Sequence, residues 1–415
     1  MTATPARPED HMPLPTSAGR GASEWARTHL FRTWYDTLLT LMFGVAFAGA
    51  TVALIRFVGA ADFTILRRNL ALFMVGRFPR DQLWRPTVAL ILGGVFIGVM
   101  AAMTVGSAIA KATESGIPLT RSTPWAVLRR FWPLVAVAVF ILTLTRTIGP
   151  SVTVLATLSA GVGVFMAAAR IPWRVLHRGW LLLLALLAAI YLVLAGGGVN
   201  WNGWGGLHLN LFLTVAGILF AFPLGLLLAL GRRSSLPVVR WLSVSYIELI
   251  RGVPLITLLL LGAFALGFFL PAALSPGQVI RVLIAITLFE AAYVAEVVRG
   301  GLQSVPEGQV EAAQSVGMPP WKTMRLVVLP QALRNTIPAM VGQFISLYKD
   351  TSLVTVVGMF DVLRVSAVVN SQPDFLAKGL ESVTLPFAAL LFWVGSYVMS
   401  REARRLEKRL GVGER

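Results

Sequence analysis

Long apolar runs, punctuated by short clusters of arginine and lysine, set the pattern of this chain. The first run is Thr37 to Ile55, bracketed by Asp36 and Arg56. The second is Thr87 to Ala110, ended by Lys111, after a loop holding Arg67, Arg68, Arg77, Arg80 and Arg85. Phe131 to Ile148 and Ser151 to Ala169 read as a helical hairpin turned at Gly149-Pro150, a strong breaker pair. Trp180 to Leu194 is a further, short span after the basic turn Arg170 to Arg178. Each run approaches the length of about 20 apolar residues that a membrane-crossing helix needs. The period-2 alternation of a membrane barrel is absent.

A second module follows the Gly- and Trp-rich segment Gly196 to His208, whose Trp201 and Trp204 suit the headgroup layer. Its spans are Leu209–Leu230, Val253–Leu270, Val282–Val298, Asn335–Val357 and Leu385–Ser400. Glu248 and Arg251, three apart, are expected to neutralise each other before the second of these. Basic residues (Arg232, Arg233 and Arg240; Arg299 to Arg334; Arg401 to Arg409) all fall on one side of these crossings, which marks that side as cytoplasmic. With a cytoplasmic N-terminus, an odd number of crossings must precede the module, and the apolar runs number five. The arginine-rich loop 56–86 then faces outward, against the usual trend.

Composition agrees. The chain has 415 residues, 56% hydrophobic and only 13% charged, about half the charged share of soluble domains. Its net charge of +17 belongs to cytoplasmic loops rather than to nucleic-acid binding. The absence of cysteine rules out disulfides and thiolate metal sites. The first 33 residues are polar and read as a disordered cytoplasmic tail, not a cleavable signal. His11, His29, His177 and His208 show no metal-ligand spacing, and no catalytic triad or cofactor motif is present.

One polar loop stands out. In Gln303 to Ala332, Ser304 with Glu307 is spaced as a capping box, and Pro306 suits a first helical turn. Gly317 is placed as a left-handed stop, and Pro319-Pro320 end one helix and open another. The expected result is a helix of about three turns that offers Glu311, Ala312 and Ala313 on its exposed face. Val327, Leu329 and Pro330 return the chain to the bilayer.

Glu311-Ala312-Ala313, three residues, Gly317, nine residues, Val327, one residue, then Leu329-Pro330 resembles the EAA motif of ATP-binding-cassette importer permeases, with Val327 where isoleucine is usual. AAYVAEVVRGGLQSVPEGQ before the loop, PQALRNTIPAMVGQFISLYKDTSLVTVVGMFDVL after it and PVVRWLSVSYIELIRGVPLITLLLL upstream are similar to polar amino acid permeases. The extra N-terminal spans, with NLALFMVGRFPRDQLWRP, are similar to the long permeases of general L-amino-acid importers.

The resemblance implies an all-α polytopic bundle with a five-helix type I (MetI-like) permease core and extra N-terminal helices. The divisions it implies are a tail (1–33), additional transmembrane helices (34–208), the permease domain (209–400) and a basic tail (401–415). It implies an L-amino-acid importer subunit in the bacterial inner membrane. The partners are a separate ATP-binding subunit, a second and different permease, and a periplasmic or extracellular binding protein. Glu311, Ala312, Ala313, Gly317, Leu329 and Pro330 would then couple the chain to the ATPase. The chain carries no GxxxxGK[ST] phosphate loop of its own.

Ionisable groups inside a membrane are functional candidates by default. Glu290, in LFEAAY, either binds the ammonium of an amino acid, pairs with a neighbouring helix or is protonated in an apolar site. The family usually has an uncharged polar residue there, so Glu290 either shifts preference toward cationic substrates or is incidental. Tyr293 lies one turn away and reads more as packing than as ligand. Lys349, Asp350, Thr351 and Ser352 match the family and are expected along the path or at a subunit interface; Lys349 and Asp350 can compensate one another. Glu296 and Arg299 read as an interfacial ion pair. The alternative from another class is an intramembrane enzyme acting on a lipid-linked substrate, with Glu290 and Glu296 as acid–base groups. A secondary transporter would require repeated halves, which the sequence does not show.

Overall fold

The computed structural model describes residues 22–114, 148–168, 171, 179–195, 203–269, 276–376 and 378–410. The expected span Phe131–Ile148, most of the basic turn Arg170–Arg178, Trp201 and the histidines His11 and His177 lie largely or wholly outside these residues. Among the described residues the structure is helical, with no strand. Among the described residues, five helices are long and apolar enough to cross a membrane, or six if a bent pair counts as one span.

The chain divides between Asp62 and Phe63 into two compact units. The first holds α1 (Ala22–His29) and α2 (Trp34–Ala60). Residues 22–29 are thus helical where an irregular tail was expected; Trp25 stacks on His29 one turn later, at 5.1 Å. Thr33 caps α2, accepting a hydrogen bond from the Asp36 amide. No residue of α2 is buried, as for a helix apolar all round.

The second unit begins with α3 (Thr64–Val75), α4 (Trp84–Glu114), α5 (Ile148–Ala168) and α6 (Trp180–Ala195). Gly149 and Pro150 occupy the first turn of α5 rather than a separate turn before it. Proline is tolerated there because first-turn amides have no intrahelical partner. Glycines let α4 and α5 touch: a Cβ on Gly98 would meet the Gly161 carbonyl at 2.4 Å.

The rest of the unit is α7 (Gly206–Arg232), α8 (Pro237–Gly252), α9 (Leu255–Phe269), α10 (Gln278–Gln303), α11 (Glu307–Ser315), α12 (Leu329–Asp350), α13 (Val362–Asn370) and α14 (Glu381–Leu410). α8 and α9 meet at 103°. The break follows from Pro254, which forces Val253 out of the helical region. α12 ends at Asp350 and a 3₁₀ turn, Thr351–Thr355, follows, so this crossing begins and ends earlier than the expected Asn335–Val357.

α7 and α10 form the most extensive helix contact. The sequence reason is a row at every fourth position of α7: Leu209, Leu213, Gly217, Ala221, Gly225 and Ala229, all buried. Residues four apart share one helix face, and small ones let backbones approach. Two apolar clusters flank the middle of α10. One gathers Leu209, Leu213, Val282, Ile286, Leu347 and Val354; the other gathers Ala229, Ile247, Val294, Val298, Val328 and Ala332. Glu290 lies between them along α10.

The two ends of this bundle are built differently. At the end where α7 begins, α3 folds back onto α7 and α13. Gly76 (φ 62°) and Gly206 (φ 56°) adopt the left-handed region, and a Cβ on either would strike backbone at 2.4 Å. The Gly206 amide donates to the Phe360 carbonyl at 2.7 Å. Asn69 and Gln372 exchange amide hydrogen bonds at 3.1 and 2.8 Å, and Arg68 pairs with Asp374. The arginine-bearing residues 67–85 of this unit are therefore anchored, through α3, at the end opposite the polar loop. Trp204 is enclosed by protein, 3% exposed and stacked on His208 at 4.5 Å, rather than presented on the surface. An indole held between two ring partners, with Phe212 as the other, is more favourably packed than at an interface.

Candidate functional site

The polar loop forms α11 as a short helix with a defined stop. The Met318 amide donates to the Ala313 carbonyl (3.1 Å) and the Gly317 amide to the Gln314 carbonyl (2.9 Å). With Gly317 at φ 78°, this is the paired closure of a Schellman motif, and only glycine adopts that conformation freely. Pro319 then caps the next turn and Pro320 starts it. A π-turn, Thr323–Val328, carries the chain into α12.

The start of α11 differs from expectation. Pro306 is the capping residue and Glu307 the first helical one, so the Ser304–Glu307 box does not form. The Ser304 hydroxyl instead donates to the Gly301 carbonyl and accepts from the Asn335 amide, each at 2.9 Å. That bond ties the end of α10 to the start of α12.

Glu311 and Ala312 are exposed, but Ala313 is buried, 6% exposed. Consecutive helical residues sit about 100° apart, so Ala312 and Ala313 do not share a face. Ala313 joins Val310, three residues before it, in facing inward. The exposed surface gains three large apolar side chains that sequence reasoning passed over: Val316, Trp321 and Leu326. Their signal was present in the sequence, as apolar residues amid a polar loop. Gly317 and Pro330 are exposed, while Leu329 packs against the nearer apolar cluster. A cavity of about 340 Å³ lies beneath α11, lined by Arg233, Leu302, Val305, Val310, Gln314 and Met324 among others. The helix thus stands off the bundle, held at its ends.

An ion-pair network lies at the same end. Arg299 donates to Glu296 from Nε at 2.9 Å, as expected of the pair. Glu296 Oε2 also lies 3.7 Å from both Arg232 and Arg251, at ion-pair rather than hydrogen-bond range. Glu248 pairs with Arg232 at 3.1 Å, not with Arg251. The i,i+3 expectation fails because Glu296 on α10 draws Arg251 across the helix contact, and Arg251 also lies over the Tyr293 ring at 5.7 Å. One acid on α10 therefore joins α7, α8 and α10.

The mid-membrane candidates are only partly brought together. Glu290 is 1% exposed and accepts from the Gln343 amide of α12 at 3.3 Å, with Oε1 unpartnered. Tyr293 packs on Phe289 with ring centroids 4.7 Å apart. Lys349 to Ser352 lie at the far end of α12 from the loop. Thr351 is fully buried and accepts from the Asn210 amide at 3.1 Å, while Asn210 Oδ1 accepts from the Val362 amide at 3.2 Å. Asn210 of α7 thereby bridges the turn after α12 to the start of α13. Lys349 is exposed, and among the described residues it makes no ion pair with Asp350. Asp361 caps α13 and is fully buried. Burial pushes its carboxyl above the usual range, opposed by hydrogen bonds from the Thr355 hydroxyl and the Arg364 and Leu363 amides. Among the described residues no cluster of His, Asp or Glu fits a metal ion.

A multi-pass helical bundle whose crossing helices are bridged by a short, stopped helix off one end is the architecture of a transport permease. Residues 221–412 match the family described as "Binding-protein-dependent transport system inner membrane component". The inner membrane amino-acid ABC transporter permease protein YhdY of Escherichia coli is 35% identical, with 97% of each chain covered. The glutamate/glutamine/aspartate/asparagine transport system permease protein BztC of Rhodobacter capsulatus is 38% identical over 84% of this chain and 79% of its own length. The probable glutamine ABC transporter permease protein GlnP of Bacillus subtilis is 35% identical; half of this chain covers 92% of it. The chain belongs to the amino-acid ABC transporter permeases. It is a multi-pass inner-membrane subunit and not itself an enzyme, and membership implies an ATPase partner and a substrate-binding protein. The lipid-enzyme alternative finds no support.

Proposed function

We propose that α11 is the coupling helix through which a separate ATP-binding subunit drives this permease. The carrying observation is the exposed Glu311 and Ala312, flanked by Val316, Trp321 and Leu326, on a helix closed by the Gly317 motif. Glu311 offers a charge to a basic partner, Ala312 a close approach, and the three apolar side chains an area to bury. Gly317, Leu329 and Pro330 fix how force enters α12, and buried Ala313 holds α11 to the bundle. The Ser304–Asn335 bond and the Glu296 network carry the movement into α10, α7 and α8.

In this reading residues 209–400 form the translocating core, with the loop in the cytoplasm, and residues 34–208 are an addition of the long permeases. A second, different permease completes the path. The match to BztC makes glutamate, glutamine, aspartate and asparagine the first substrates to test. Glu290 with Gln343 offers an acceptor for the substrate ammonium midway through the bundle, and Tyr293 and the residues Lys349 to Ser352 shape the path around it.

The test is Glu311→Lys in the assembled importer. Co-purification of the ATP-binding subunit and ATP-dependent amino acid uptake are expected to be lost while the permease still inserts. Retention of both would end the reading. The chain has no cysteine, so a single cysteine at Gln314 gives the sidedness directly. It should react with an impermeant maleimide only from the cytoplasmic face.

A further inference from the structure

At the end opposite the coupling helix, a cavity of about 360 Å³ opens between α3, α10 and α13. Arg77, Trp204, Gln278, Met359, Phe360 and Arg364 line it with their neighbours. The volume falls within the range of small-molecule sites. Two arginines, Arg77 and Arg364, line this space, and among the described residues no acidic residue does. Two acids of this end, Asp374 and Asp361, are engaged elsewhere. Asp374 pairs with Arg68 at 2.8 Å, and Asp361 is turned into the base of α13, where it accepts the Leu363 and Arg364 amides.

Both arginines are held in place. Arg77 sits between Gly76, in the left-handed conformation, and Phe78, which is 1% exposed. Its guanidinium lies 4.3 Å from the centre of the Phe360 ring. Arg364 stands in the first turn of α13, whose cap is the buried Asp361. Among the described residues neither pairs with an acid, and their backbones are fixed before any ligand arrives. That lowers the ordering cost of binding, and a guanidinium meets a carboxylate in a two-pronged, charge-assisted contact.

We infer that this cleft is an outer binding site for an acidic amino acid, with Arg77 of the N-terminal addition and Arg364 of the permease core clasping its side-chain carboxylate. The inference rests on the transport reading above, which places this end outward. It also gives the arginine-rich segment a role that topology alone denies it, since cationic residues are disfavoured on the outer side. A neutral amino acid brings an ammonium close to its single carboxylate and gains less between two cations. A cationic one is repelled, so this end opposes the cationic preference considered for Glu290.

The experiment is calorimetric titration of the full chain in lipid nanodiscs with L-glutamate, L-glutamine and L-arginine. L-glutamate should bind at least about tenfold more tightly than L-glutamine, and L-arginine should not bind. Binding should weaken as salt rises. Arg77→Gln and Arg364→Gln should each reduce L-glutamate affinity by about tenfold, with Arg364→Lys in between. Trp204 lines the cleft, so L-glutamate should change tryptophan emission in the parent chain and less in Trp204→Phe. No L-glutamate binding, equal binding of the two amino acids, or affinity indifferent to both arginines overturns the proposal. Uptake by the assembled importer separates the two readings. Amino acid uptake that depends on Glu311, with no L-glutamate bound to the chain, defeats the outer site alone. Uptake indifferent to Glu311 defeats the coupling reading instead.

Discussion

The two ends of the helical bundle handle charge in opposite ways. Near the coupling helix, Arg232, Arg251 and Arg299 converge on Glu296, with Glu248 as a second acid. At the far end, Arg77 and Arg364 line one cavity with no acid among its lining residues, and both are exposed. The first arrangement offsets most of its charge and joins helices. The second leaves cationic groups available. The lesson is that a positive charge count says little until each charge is traced to its partner. One end is built to hold together while it moves; the other is built to receive something.

That contrast can be broken by substitution at either end. The largest effect is expected from Glu311→Lys, which should abolish co-purification of the ATP-binding subunit, whereas Arg67→Glu at the far end should leave it unchanged. Equal loss from both would mean that the ends are not functionally distinct. Next is Gly206→Val. Its side chain would meet the Phe73 carbonyl at 2.4 Å in a left-handed backbone, so thermal unfolding in detergent should show a loss of at least about 2 kcal/mol.

Glu296→Gln removes the shared acid and leaves Arg251 and Arg299 without one, with Glu248 still on Arg232. A destabilisation of about 1–2 kcal/mol is expected, moderated by the partial exposure of the site. A melting temperature unchanged within error would show the network to be incidental. Gly317→Ala forces a Cβ into φ 78° and should cost about 1 kcal/mol locally. Its sharper signature is lower uptake per ATP hydrolysed with ATPase binding retained. The smallest effect is Asn69→Ala, which breaks the reciprocal amide pair with Gln372. About 1 kcal/mol should be lost, read as earlier proteolysis of the α3 segment.

Much of this was legible in the residues. Apolar runs place α2, α4, α6, α7 and α10 within a few positions, because a bilayer demands continuous apolar length. Gly317, Pro319 and Pro320 mark the end of α11 because their backbone restrictions are intrinsic. Partner choice was not legible. Glu248 has Arg251 three residues away yet bonds Arg232, since a tertiary contact outcompeted the local pair. Ser304 turned to Asn335 because Pro306 took the capping position. Trp204, read as an interfacial anchor, is enclosed by His208 and Phe212. The amphipathic α13 was missed in the mixed polar segment between two expected spans.

By itself the sequence determined that this chain crosses a membrane many times, that a proline- and glycine-bounded helix interrupts it, and which permeases it resembles. Those properties follow from local chemistry: apolar length, backbone restriction and motif spacing. Only the tertiary structure decided that Ala313 faces inward, that Glu296 gathers three arginines, and that Arg77 and Arg364, far apart along the chain, border one cleft. Charges find partners through space, and that geometry exists only once the helices have packed.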